Sequence, residues 1–97
     1  MKKQRFELGR LVSTKAVHER MQKDLEFKYF CRKSLERHRL CDWGDLCESD
    51  KKLNNVALDT GERLMSAYIF NEETNEKIWI ITERDRSVTT ILFPSEY

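Results

Sequence analysis

Glycine and proline are scarce in this chain, with three Gly and one Pro among 97 residues. That scarcity argues against a disordered chain or a repeat array. Long apolar runs are also missing, since no stretch approaches the roughly 18–20 residues that span a bilayer. The start, Met1-Lys2-Lys3-Gln4-Arg5, is basic, but charges within residues 6–10 interrupt the apolar stretch that a signal peptide requires. These absences predict one cytoplasmic domain over residues 1–97 that does not contact a membrane.

Metal-binding and redox motifs are also few. Three cysteines without a C-x-x-C pair favour free thiols, although His38 could complete a four-ligand set with them. Four carboxylates crowd into residues 42–50, but their spacing matches no EF-hand loop. We favour helix capping by Asp45 or Ser49, with Trp43 in the core, and predict no metal and no cofactor.

Charge is unevenly distributed, although the formal net charge is only +1. Residues 1–40 contain twelve Lys or Arg against five Asp or Glu, a net of +7. Residues 41–97 contain six against twelve, a net of −6. Such segregation indicates an interaction surface. It argues against uniform acidic mimicry of DNA and favours a polar molecule with one basic side.

Two helices are predicted before residue 40. Ser13 or Thr14 offers an N-cap for a helix over 15–23, and Asp24 offers one for a helix from 25 to about 39. The second helix has an apolar arc on a helical wheel, formed by Phe27, Phe30, Cys31, Ser34 and His38. Since His38 lies at the centre of this arc, we interpret it as a packed core residue.

A third helix is predicted from Asp50 to about Asp59. Ser49 would cap its start and Gly61 would end it. Its apolar side chains are predicted to face inward, namely Leu53, Val56 and Ala57.

The last third of the chain predicts strands. Segments 63–70, 77–82 and 87–93 are rich in β-branched and aromatic residues, and polar turns separate them. Short turns favour antiparallel neighbours, and Pro94 should end the last strand. Residues 6–12 form either a short edge strand or an extended lead-in. We therefore predict an α+β fold, with N-terminal helices packed on a C-terminal three-stranded antiparallel β-meander.

Basic side chains on the second predicted helix are the best functional signal. Lys28, Arg32 and Arg39 cluster on one flank, and Tyr29 offers a stacking ring, whereas Lys33 lies on the other side. Such cations can track a phosphate backbone, and an aromatic ring can stack on a base. A solvated helix face is the competing interpretation.

The turn over 82–87 is the densest polar cluster among the strands. Its Arg84 and Arg86, beside hydroxyl groups, could stabilise a phosphate during RNA cleavage. Helices followed by an antiparallel sheet are also the rough order of small ribonuclease toxins of the RelE and barnase-like groups, an analogy of architecture. A charged hairpin tip is the simpler interpretation. The sequence contains no Gly-rich phosphate loop and no G-x-S-x-G, so NTPase and hydrolase functions have no support, and we assign no catalytic residues.

Three segments carry a family resemblance, most specifically the tail 82–97. The others are Gly9-Arg10-Leu11-Val12 and Asp42-Trp43-Gly44-Asp45-Leu46. The chain resembles a recurring family of small bacterial proteins from plasmids and other mobile elements. It is also similar in size and composition to some type II anti-CRISPR proteins. The resemblance implies a non-catalytic inhibitor that binds Cas9 or its guide RNA and blocks assembly or DNA loading.

Three functions therefore stand as hypotheses. The leading one is a mobile-element inhibitor or adaptor acting on nucleic-acid machinery, with a Cas9-type effector or its guide RNA as partner. A small metal-independent ribonuclease toxin comes second, and a regulatory plasmid accessory protein third. The acidic strand half could occupy an effector's basic channel, or the basic helical half could compete for RNA, and the sequence leaves both routes open.

Overall fold

A computed structural model describes residues 4–97, so Met1, Lys2 and Lys3 of the basic start lie outside the described part of the chain. Its elements follow in order: β1 (Arg10–Ser13), α1 (Lys15–Lys23), α2 (Leu25–Arg39), α3 (Glu48–Thr60), β2 (Leu64–Asn71), β3 (Glu76–Thr82), β4 (Val88–Leu92) and a 3-10 turn (Pro94–Glu96). The predicted α+β class is confirmed.

The sheet corrects the prediction in its details. It is four-stranded and mixed, with the order β1-β4-β3-β2, so the three-stranded antiparallel meander was wrong as a description of it. The strands β2, β3 and β4 pair antiparallel, while β1 joins β4 in parallel, with Leu11 opposite Thr89. Local composition allows an edge strand or an extended lead-in over residues 6–12, and the strand forms at Arg10–Ser13. Local composition carries no information about a partner that lies at the other end of the chain.

The first two helices are confirmed together with their caps. The Thr14 hydroxyl accepts a hydrogen bond from the Val17 amide at 3.3 Å. The Asp24 carboxylate accepts one from the Phe27 amide at 3.1 Å, and this bond lowers the pKa of Asp24. Asp24 also ends α1, so one residue separates two helices that pack against each other. Within residues 4–97 no helix is both long and apolar enough to cross a membrane.

The third helix corrects two predictions. It begins at Glu48, and its N-cap residue Cys47 makes no side-chain cap bond, so capping by Ser49 was wrong. Leu53 and Val56 were predicted to face inward, but they are 66% and 56% exposed. Only the inward position of Ala57 is confirmed among the three. Gly61 ends the helix with φ 78°, as predicted.

Two hydrogen bonds between Asn54 and the backbone of Met65, here called the polar clasp, explain which side of α3 faces the sheet. The Asn54 amide donates to the Met65 carbonyl at 2.6 Å, and its oxygen accepts from the Met65 amide at 3.2 Å. Asn54 is therefore buried against the outer edge of β2, and this position turns Leu53 and Val56 toward solvent. Hydrophobic periodicity predicts that Leu53 and Val56 face inward. It cannot predict that a polar side chain, Asn54, hydrogen-bonds the free edge of a strand.

Two apolar clusters form the core. The larger lies between the sheet and the first two helices, and contains Val17, Phe27, Cys31, Tyr68, Ile78 and Ile80. The smaller lies beside α3, and contains Phe6, Trp43, Ala57 and Leu64. The predicted burial of Trp43 is confirmed. Since α1 and α2 bury their inner sides in the larger cluster, their outer flanks are available for contacts with other molecules.

Candidate nucleic-acid interface

A groove runs between the outer flanks of α1 and α2. It has a volume of about 400 Å³ and is lined by His18, Met21, Gln22, Lys28 and Arg32. The α1 residues are spaced at i, i+3 and i+4, and the α2 residues at i and i+4, so each set lies on one helical flank. Met21 also packs against the larger core cluster, so it forms an apolar floor.

The polar side chains of the groove have no partners in the described part of the chain. Within residues 4–97, those of His18, Gln22, Lys28 and Arg32 make no hydrogen bond and no ion pair. Among the same described residues, no carboxylate lines the groove to offset its two cations. A concave surface with convergent and unpaired donors has the composition of a site for an anion.

Two other arginines, unlike Arg32, are paired with carboxylates within the fold. Arg20 donates to both carboxylate oxygens of Glu76, at 2.6 and 3.0 Å, and Arg37 to both of Asp42, at 2.7 and 3.2 Å. Arg37 also lies 4.9 Å from the centre of the Tyr68 ring. These guanidinium groups are held by bidentate pairs and ring contacts, so they stabilise the fold.

The structure brings together some of the basic residues predicted on α2 and separates others. Lys28 and Arg32 line the groove. Tyr29 does not line it, but its side chain is 58% exposed on the adjoining surface of α2. Arg39 instead bonds Glu36 and Gln4, and this contact lowers the pKa of Glu36. Lys33 is exposed but does not line the groove.

The two arginines of the β3–β4 turn also lie outside the groove. Arg84 pairs with the exposed Glu62 carboxylate at 3.1 Å. Arg86 donates to the carbonyl oxygens of Glu62, Ala57 and Glu83 at 2.7, 3.2 and 3.2 Å. Because Ala57 belongs to the last turn of α3, the Arg86 cation also opposes the negative end of that helix. These contacts join the turn to α3.

Three groove residues were missed by the sequence interpretation. His18, Met21 and Gln22 come from α1, where only a weak apolar side was recognised. One sequence signal could have identified them: a single residue, Asp24, separates the two predicted helices. Such a short connection places consecutive helices against each other. The i, i+3 and i+4 spacing then shows that His18, Met21 and Gln22 share the side of α1 that faces α2.

His38 is confirmed as a packed histidine. It is fully buried, and its ring lies edge-on to those of Phe6 and Trp43. Its Nε2 atom lies 2.9 Å from the Thr82 hydroxyl oxygen, and its Nδ1 atom contacts the Ser66 hydroxyl. A buried ring with both nitrogens engaged is unsuited to act on a substrate in solution.

The hydrogen-bond chain through His38 assigns its protons. The Thr89 hydroxyl donates to the Leu8 carbonyl at 2.6 Å, so its single proton is used there. Thr82 must then donate to Thr89 over 2.7 Å, and His38 Nε2–H to Thr82. This order of bonds places a proton on Nε2. Because burial lowers the pKa of His38 to about 4, the ring is neutral at pH 7, and its Nδ1 atom accepts from the Ser66 hydroxyl.

The cysteines and acidic residues form no recognisable metal site in residues 4–97. None of the three cysteines is in a disulfide, and burial raises the pKa of the Cys31 thiol to about 12. Among the carboxylates near residue 45, Asp45 accepts from the Ile69 amide at 2.9 Å, so its predicted role as a helix cap was wrong. It closes the edge of β2 instead.

Comparison with protein-family models, with curated proteins and with solved structures finds no match to this chain. The resemblance to plasmid-related and anti-CRISPR proteins therefore remains a prediction.

Proposed function

We propose that this protein is a non-catalytic inhibitor or adaptor of nucleic-acid machinery that binds RNA through the groove between α1 and α2. One observation carries the proposal: Lys28 and Arg32 converge on a groove in which no carboxylate and no internal partner neutralises them within residues 4–97. Paired arginines elsewhere show that the fold can satisfy its cations where they serve stability.

The specific partner that we propose is a Cas9-type effector with its guide RNA. Such an effector holds the guide through phosphate contacts in a basic channel. Lys28, Arg32 and the adjacent Tyr29 would compete for part of the same RNA, and the inhibitor would act before the guide is loaded. Binding alone is sufficient for this effect, which suits a chain whose core histidine is enclosed.

RNA affinity tests the first part of the proposal. We expect Lys28→Glu with Arg32→Glu to weaken RNA binding by at least about tenfold and to flatten its salt dependence, because each lost phosphate contact removes about 0.7 from the slope for a single strand. The matched control is Lys52→Glu with Arg10→Glu. It changes net charge equally at two exposed residues outside the groove. Equal weakening by both pairs would reduce the effect to net charge and contradict the proposed site.

Order of addition tests the effector. The protein should inhibit target cleavage when it is mixed with Cas9 before the guide RNA, and lose that inhibition when the guide is already bound. The groove variant should fail to inhibit, and the control variant should inhibit normally. Undiminished cleavage in either order would reject this partner. Inhibition that persists in the groove variant would favour the acidic strand half as the contact.

A further inference from the structure

We infer that the groove between α1 and α2 holds one unpaired nucleotide of a single strand, with its phosphate on α2 and its base against α1. This inference rests on the proposed RNA binding and deepens it, since it names which form of RNA the site selects.

The groove fits a small ligand. Its volume of about 400 Å³ falls near the lower end of ligand sites, which span roughly 300–1,000 Å³. A single nucleotide is of suitable size for such a site. A double helix is far wider, so it could contact only the rim and would leave the interior of the groove unused.

The two walls differ in chemistry. Lys28 and Arg32 supply the charged donors on the α2 wall, while His18 and Gln22 supply an imidazole and an amide on the α1 wall. Arginine and lysine are the usual phosphate contacts, whereas amide and imidazole groups can hydrogen-bond the edge of a base. The walls therefore match the two ends of a nucleotide.

The floor suits the flat face of a base. Met21 is half-buried against the core, so its position is supported from beneath. Its thioether is polarisable and makes favourable contacts with aromatic rings. A purely ionic site for inorganic phosphate would have no use for this apolar surface.

Bases are available to this floor only when they are unpaired. In a duplex the base faces are stacked on one another, and RNA-binding proteins that read bases take them from loops and single strands. The exposed Tyr29 ring on the adjoining surface of α2 offers a second stacking surface for a neighbouring base. The site should thus prefer single-stranded over double-stranded RNA.

The test compares labelled RNA of about ten nucleotides as a single strand and as a blunt duplex, a length within the usual range of single-strand sites. Wild-type protein should bind the single strand about tenfold more tightly. His18→Ala with Gln22→Ala changes two exposed residues and leaves both cations in place. This variant should lose most of that preference while its salt dependence stays unchanged.

Competition separates a nucleotide site from a simple anion site. Uridine 5′-monophosphate should displace the labelled strand at a concentration about tenfold lower than inorganic phosphate, since only the nucleotide reaches the α1 wall. Equal potency of the two competitors would indicate an anion site and overturn the inference.

The outcomes distinguish this inference from the proposed function. Equal binding of single strand and duplex, both lost in the Lys28→Glu/Arg32→Glu protein, would reject the nucleotide site and leave RNA binding intact. Preference for the single strand that survives in the His18→Ala/Gln22→Ala protein would also reject it. Absence of RNA binding by the wild-type protein would reject both proposals together.

Discussion

The Nε2 atom of His38 lies 2.9 Å from the hydroxyl oxygen of Thr82, and both side chains are fully enclosed by the fold. This contact joins the last turn of α2 to the end of β3. Through Thr89 it continues to the carbonyl of Leu8. The N-terminal segment, the helix layer and the sheet therefore depend on one buried chain of hydrogen bonds, in which His38 is neutral.

Acid should weaken the fold through His38. Burial lowers its pKa to about 4, against 6.5 for an ordinary histidine, so the unfolded chain binds the proton more tightly than the folded one. The stabilisation from neutral His38 is complete above about pH 6.5, falls as the pH drops toward 4, and changes no further below that. Between pH 7 and pH 5 we expect a loss of about 2 kcal/mol in the free energy of unfolding, measured by urea denaturation.

The control for this prediction is His38→Gln, which cannot titrate in that range. Its unfolding free energy should be lower overall and nearly independent of pH between 7 and 5. Asp24 and Asp85 also have lowered pKa values, but their contributions are lost mainly below about pH 4. A variant that follows the wild-type pH dependence would show that another group is responsible.

Gly44 should tolerate no side chain. Its φ is 74°, and a Cβ atom there would lie 2.0 Å from the Ala67 carbonyl oxygen and 2.6 Å from the Tyr68 ring. We expect Gly44→Ala to cost about 3 kcal/mol or more, since backbone strain and a clash add. Thermal unfolding would measure the loss.

Gly61 provides the comparison for Gly44. Its φ of 78° is nearly the same, but no atom lies within 4 Å of the site of a Cβ. Gly61→Ala should therefore cost only about 1 kcal/mol, the strain of the left-handed conformation alone. Equal losses at the two positions would show that backbone strain, and not the contact with β2, dominates at Gly44.

Asn54→Ala should destabilise the protein and open the edge of β2. The change leaves the amide and carbonyl of Met65 without their partner, which should cost about 2 kcal/mol. An open edge also promotes pairing between molecules, so concentration-dependent aggregation should increase. Urea denaturation and light scattering would measure the two effects.

The control for Asn54 is its neighbour Asn55. Asn55 is exposed and accepts one bond from the Trp43 indole, so Asn55→Ala should cost about 1 kcal/mol or less and leave aggregation unchanged. Increased aggregation in both variants would argue against a specific role of the clasp at the sheet edge.

The two arginines of the β3–β4 turn should differ in their effect on stability. Arg86→Ala should cost about 2 kcal/mol, because three carbonyl bonds and the contact with the end of α3 are lost. Arg84→Ala removes one exposed ion pair and should change stability by no more than about 0.5 kcal/mol. Denaturation midpoints of the two variants measure the difference. Loss of an RNA-cleaving activity in Arg84→Ala, without loss of stability, would instead favour the ribonuclease hypothesis.

Local signals predicted the helices well and the sheet incompletely. Thr14 and Asp24 cap their helices through bonds to residues three positions away, so a short stretch of sequence contains the whole interaction. The parallel pairing of β1 with β4 joins Leu11 to Thr89, and no local pattern reports such a contact. The fourth strand was therefore predicted only as one of two alternatives, and its parallel partner was not predicted.

Only the α2 side of the groove was predicted, because the α1 side depends on how the two helices pack. Lys28 and Arg32 share one helical flank, and the i, i+4 spacing identifies them without a structure. His18 and Gln22 could be added only once the packing of α1 on α2 was known. Arg39 lies on the same predicted flank, but its guanidinium is held by Glu36 and Gln4, and Gln4 belongs to the distant N-terminal segment.

The single residue between α1 and α2 has a consequence for how this protein could change over evolutionary time. All five groove residues fall between positions 18 and 32, while every strand of the sheet lies outside that range. Changes confined to these five positions could therefore alter the proposed ligand preference, while Asp24, Phe27 and Cys31 in the same segment keep the cap and the core. The same five positions would be the natural set to randomise in a laboratory search for new specificities.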